Sequence, residues 1–98
     1  MVRILVAEDD RDLNGTLVSA LLREGYEAEG VPDGEKALEA LSEKKFDLLI
    51  ADIMMPVMDG FALAERVRET DKQLPVLFLT ASPRWTTRRP NSGGIAWA

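Results

Sequence analysis

Strand-length apolar runs alternate with stretches of helical period along this chain, and that alternation constrains its fold more than any other feature. VRILVA (2–7), rich in β-branched residues, DLLIAD (47–52) and PVLFLTA (75–81) are short apolar runs of strand length, while YEAEGV (26–31) alternates as a half-exposed strand does. From Asp10, Leu13, Leu17 and Leu21 recur every four residues until Gly25 stops the helix. Asp33 is placed to cap a helix through Lys44 with Ala37, Leu38 and Leu41 on its apolar face. Asp59 is placed to cap another over 60–70 that buries Leu63, Ala64 and Val67. The order β-α-β-α-β-α-β with short connections predicts a parallel sheet covered by helices on both faces.

Composition removes several function classes. A chain of 98 residues makes one domain with a single core. There is no cysteine, hence no disulfide framework or thiolate zinc site, which fits a cytoplasmic location. There is no histidine, so Ser-His-Asp and Cys-His catalysis are excluded. No apolar run approaches the roughly 20 residues that span a bilayer, so no membrane partner is expected. Residues 1–81 hold all 17 acidic residues and nine of the twelve basic ones. Such an acidic body argues against direct nucleic-acid binding, which needs clustered Lys and Arg.

In open α/β sheets, ligands bind outside the carboxyl ends of the strands. Asp52 ends the third strand, and Glu8-Asp9 follow the first. Were those strands neighbours, three carboxylates would converge on one pocket and repel one another strongly. A hard divalent cation relieves that repulsion, and oxygen ligands with room for water suit Mg²⁺.

ILVAEDD, DLLIADIMMPVMDG and PVLFLTA, in this order and spacing, resemble the receiver domain of bacterial two-component response regulators. The resemblance covers residues 2–81. It implies a flavodoxin-like (CheY-like) doubly wound fold with strand order 2-1-3-4-5. It also implies that Asp52 accepts a phosphoryl group from a sensor histidine kinase. Asp9 would bind Mg²⁺ directly, Glu8 through water, and the Met54 backbone carbonyl would be a further ligand. Thr80 would hydrogen-bond the phosphoryl oxygens and signal the new state.

Other readings of the same residues are weaker. Asp10-Arg11-Asp12-Leu13-Asn14-Gly15 opens like a calcium-binding EF-hand loop, yet its twelfth position is Leu21 where a bidentate Glu is required. Asp10 and Asp12 read instead as charges favourable to a helix N-terminus. Met54, Met55 and Met58 read as loop and core packing. Haloacid-dehalogenase-type phosphatases also use a strand-end Asp with Mg²⁺, but place a second Asp two residues on. Met54 holds that position here, so the chain is not expected to be an enzyme. A second class of function is an interaction module or dimerising fragment that does not signal by phosphorylation.

The departures from the family pattern are equally specific. The resemblance implies a further helix, a fifth strand opening on a phosphoryl-binding lysine, and a fifth helix, for which the chain has no counterpart. Residues 1–81 are therefore expected to be a partial receiver, truncated after the fourth strand. SPRWTTRRPNSGGIAWA (82–98) is expected to be a non-family basic tail from a shifted reading frame or cloning junction. Phosphorylation of Asp52 is expected to be slow or undetectable without the lysine, unless a tail arginine substitutes. Strand 75–81 would lie open at the sheet edge and recruit a second copy, giving a homodimer through that strand or the tail.

Overall fold

The structure, a computed structural model, describes residues 1–79 and the backbone of 95–97. Its elements are β1 (Arg3–Ala7), α1 (Arg11–Arg23), β2 (Glu27–Val31), α2 (Gly34–Glu43), β3 (Leu48–Asp52), α3 (Gly60–Thr70), β4 (Val76–Leu79) and β5 (Ile95–Trp97). Strand order is β2-β1-β3-β4-β5, with β1 through β4 all parallel. This is the flavodoxin-like arrangement expected; among the described residues it has no fifth parallel strand and no fifth helix.

Each helix starts where the sequence supplies an aspartate. Asp10, Asp33 and Asp59 are the N-caps, and their carboxylates accept from Asp12 and Leu13, from Lys36, and from Ala62. Each such cap is worth about 1 kcal/mol. Helix α1 stops at Gly25, whose φ of 94° is the left-handed conformation that glycine adopts freely. The Gly25 and Tyr26 N–H groups turn back to the Leu22 and Leu21 carbonyls, which closes the helix end.

The sheet has two cores. On one face Leu5, Ala7, Leu49, Ala51, Val76 and Phe78 meet Ala37, Leu63, Ala64 and Val67 of α2 and α3. On the other, Ile4, Val6 and Ile50 are covered by Leu17, Val18 and Leu21 of α1. Alternation along each strand sends side chains to opposite faces, so the central strands, covered on both, are apolar throughout.

The tail contributes a strand that its composition did not suggest. β5 pairs antiparallel with β4, Leu79 opposite Ile95 and Leu77 opposite Trp97. The outer edge of β4 therefore finds its partner within the chain. The open edge on which a dimer through residues 75–81 was expected to rest is occupied in the monomer. The argument that an apolar edge strand captures another strand holds; the strand it captures is its own chain's.

Candidate functional site

Parallel pairing of β1 and β3 sets Ala7 opposite Ala51, so Glu8 and Asp52 emerge side by side at the carboxyl end of the sheet. Carboxylate oxygens of Glu8, Asp9 and Asp52 all lie within 4.8 Å of one another. Glu8 is 3% exposed and Asp52 9%, whereas Asp9 faces solvent. The three expected carboxylates thus converge.

Backbone groups hold them in place. The Asp10 N–H donates to Glu8 Oε2 at 3.0 Å, and the Met54 N–H donates to Asp52 Oδ1 at 3.2 Å. Past Asp52 the chain turns sharply: the Ile53 N–H bonds the Leu79 carbonyl and the Gly60 N–H returns to the Ile53 carbonyl at 3.0 Å. Gly60 is needed for that turn, because a Cβ there would stand 2.5 Å from the Asp52 carbonyl oxygen and 3.0 Å from Ile53 Cα. Of the methionines, Met55 is in the core and Met58 packs against it, while the Met54 side chain is 68% exposed. Thr80 lies outside the described residues.

The electrostatics are those of three crowded carboxyls, two of them buried. Burial pushes the Glu8 carboxyl up to about 7. The Asp10 N–H opposes this, while the Asp52 and Asp9 carboxyls, hydrogen-bonded to Glu8, and the Asp52 charge reinforce it. Three carboxyls whose oxygens lie within 4.8 Å of one another, hard donors that raise the cost of one another's ionisation, fit a divalent cation such as Mg²⁺.

The same turn holds a strained residue. Val57 has φ 68° and is 98% exposed. A β-branched side chain in the left-handed region costs on the order of 1 kcal/mol, and no burial offsets it. Val57→Asn, which tolerates this conformation, should raise the unfolding free energy by about 1 kcal/mol in urea titration. An unchanged or lower value would show that the turn takes another conformation in solution.

Sequence reasoning placed Asp10 only as a helix charge, whereas it caps α1 and anchors Glu8 through its N–H. It met Asn14 only as part of a rejected calcium-loop pattern and gave it no role. The signal was present: a polar amide between Leu13 and Leu17, inside the pattern set aside as a calcium loop.

The family model described as "Response regulator receiver domain" matches residues 4–89. The chain is 46% identical over 80 residues to the transcriptional regulatory protein RprY of Bacteroides fragilis, covering 82% of this chain and 34% of that protein. It is 48% identical over 80 residues to the response regulator receiver protein CpdR of Brucella abortus, covering 82% and 67% respectively. It thus spans about a third of one of these curated relatives and two thirds of the other. Among solved structures, the response regulator TrrA of Thermotoga maritima in complex with Mg²⁺-BeF superposes with a TM-score of 0.81 at 32% identity, covering 96% of this chain and 82% of that one. The Vibrio cholerae chemotaxis protein CheY4 gives 0.80 at 34% identity, covering 89% and 76%.

Proposed function

This chain belongs to the response regulator receiver domain family, and from that premise we propose that Asp52 is the phosphoacceptor of a two-component system, charged by a sensor histidine kinase. The convergence of Glu8, Asp9 and Asp52 at the strand ends carries this reading. Asp9 and Asp52 would hold Mg²⁺ directly, Glu8 would hold it through water, and the Met54 backbone carbonyl is proposed as a further ligand. When bound, Mg²⁺ neutralises charge on the phosphoryl oxygens and screens the carboxylate from them. The TrrA structure, solved with Mg²⁺-BeF, supports the same use of the pocket here.

The residues themselves contribute position. One Asp52 oxygen is fixed by the Met54 N–H, so the carboxylate is presented in a set orientation. A carboxylate oxygen attacks phosphorus, and the P–N bond to the kinase imidazole breaks. The electron pair returns to the imidazole nitrogen. The side chain two residues on is the exposed thioether Met54, which cannot act as acid or base on water. The aspartyl phosphate should therefore persist, as a signal requires, and sustained hydrolysis of phosphate esters is not expected. Thr80 is proposed as the hydroxyl that bonds the phosphoryl group. Prolonged incubation with acetyl phosphate and Mg²⁺ followed by intact mass and peptide mapping tests the reading: a phosphoryl group on Asp52, even if gained slowly, supports it, and a phosphoryl group mapped to another residue would refute it. Among the described residues no helix is long and apolar enough to cross a membrane.

A pH prediction follows from Glu8. Its folded pKa of about 7 lies above the unfolded value of 4.5, so the folded state holds a proton that the unfolded state releases. That contribution is complete below pH 4.5 and is lost as pH rises through 7, to a limit of about 3 kcal/mol. Without divalent ions, unfolding free energy should fall from pH 5 to pH 7.5. Millimolar Mg²⁺ should restore it at the upper end, since the ion binds the ionised pocket of the native state. A flat profile in both conditions would contradict a strained acidic cluster.

A further inference from the structure

We propose that Asn14 is a positioning residue for the cation site, fixing the Glu8–Asp9 peptide through its side-chain amide, and that Gly30 is glycine to admit that amide. The inference rests on the reading of Glu8, Asp9 and Asp52 as a Mg²⁺ site. Asn14 lies on the first turns of α1, and its backbone N–H bonds the Asp10 carbonyl at 2.8 Å. Its side-chain Nδ2 donates to the Glu8 carbonyl and to the Val31 carbonyl, both at 3.0 Å. The Val31 carbonyl also accepts the Glu8 N–H at 3.1 Å. One amide therefore ties the ends of β1 and β2 to the start of α1.

The Glu8 carbonyl belongs to the peptide that joins Glu8 to Asp9. Holding that oxygen fixes the peptide plane, and with it the direction in which Asp9 leaves the strand. Asp9 is exposed, so the peptide that precedes it is a main constraint on where its side chain points. Outer contacts of this kind orient ligands, and their removal commonly costs 10- to 100-fold in metal affinity.

Gly30 supplies the second, independent observation. It sits opposite Val6 in the sheet, where a side chain is ordinarily tolerated. A Cβ at Gly30 would overlap Asn14 Oδ1, stand 2.9 Å from Asn14 Cγ and reach 3.2 Å from Val18 Cγ2. The space above Gly30 is the seat of the Asn14 amide. Gly30→Ala would displace the amide without deleting it.

The two substitutions should therefore act through one group. Mg²⁺ titrations followed by backbone-amide NMR, on protein with a dispersed spectrum, should show about tenfold weaker binding for Asn14→Ala and for Gly30→Ala. The double variant should bind no more weakly than Asn14→Ala alone, because the new methyl enters space that Asn14 has left. A purely structural role would lower the melting temperature without this shared loss of affinity. If Asn14→Ala does not fold, the Gly30→Ala titration decides the matter by itself. Wild-type affinity in either folded variant, or losses that multiply in the double variant, would overturn the inference while leaving the proposed function intact. A folded wild type that does not bind Mg²⁺ would overturn both.

Discussion

Asp52→Asn should abolish phosphoryl uptake and leave the fold at least as stable as the parent at neutral pH. The two halves have one cause. Asp52 is 9% exposed beside Glu8, which is 3% exposed, and its carboxylate helps drive the Glu8 carboxyl up to about 7. Removing the Asp52 charge removes that repulsion, while the asparagine oxygen can still accept the Met54 N–H. Stability should rise, because only burial and Asp9, without the Asp52 hydrogen bond and charge, then raise the Glu8 carboxyl. The amide is a poor nucleophile, so no acyl phosphate should form. Intact mass after treatment with acetyl phosphate and Mg²⁺ reads the first half, and the urea midpoint at pH 7.5 without divalent ions reads the second. A phosphoryl group retained by the variant would place the acceptor elsewhere. A lower midpoint would mean that Asp52 contributes more to packing than its charge costs.

Opposite signs on stability and function distinguish a site residue from a core residue, and the two kinds were unequally legible in the sequence. Leu49 and Leu63 could be placed because apolar runs and helical periods reflect which face of an element is covered. Asp33 and Asp59 could be placed as caps because their bonds reach only three residues along the chain. Glu8, Asp9 and Asp52 required one non-local step, the adjacency of β1 and β3, which the residues left open and the resemblance to receiver domains implied.

What was missed depends on contacts with no local signature. β5 is Ile-Ala-Trp, three residues with no period to read, and its partner was determined by an open edge sixteen residues earlier in the chain. Asn14 reaches Val31, seventeen residues away, and only the space above Gly30 marks the contact. The left-handed conformation of Val57 runs against its residue type, so propensity pointed the wrong way.

Leu49→Ala should produce the reverse pattern, a large loss of stability with the chemistry of Asp52 retained in whatever fraction stays folded. Leu49 is 0% exposed, at the centre of the sheet, paired with Leu5 on one side and Val76 on the other. Its side chain belongs to the core that α2 and α3 cover, together with Leu63 and Val67. The neighbours are held by backbone pairing on both sides and can close only part of the space left behind. Truncations of this kind cost about 3–5 kcal/mol, against about 5–15 kcal/mol for the total stability of such a domain. The variant should therefore unfold well below the parent midpoint in urea. Mg²⁺ links this loss to the site. Bound to native protein at a hundred times its dissociation constant, the ion returns about 2.7 kcal/mol, most of the deficit at the lower end of that range. The decisive comparison is the urea midpoint of Leu49→Ala with and without saturating Mg²⁺, beside the same pair for Asp52→Asn. Rescue of the first and little effect on the second would place the ion at the Asp52 carboxylate. Equal Mg²⁺ responses in the two variants would remove Asp52 from the cation site, and a loss below about 1 kcal/mol for Leu49→Ala would mean a core loose enough to close the gap.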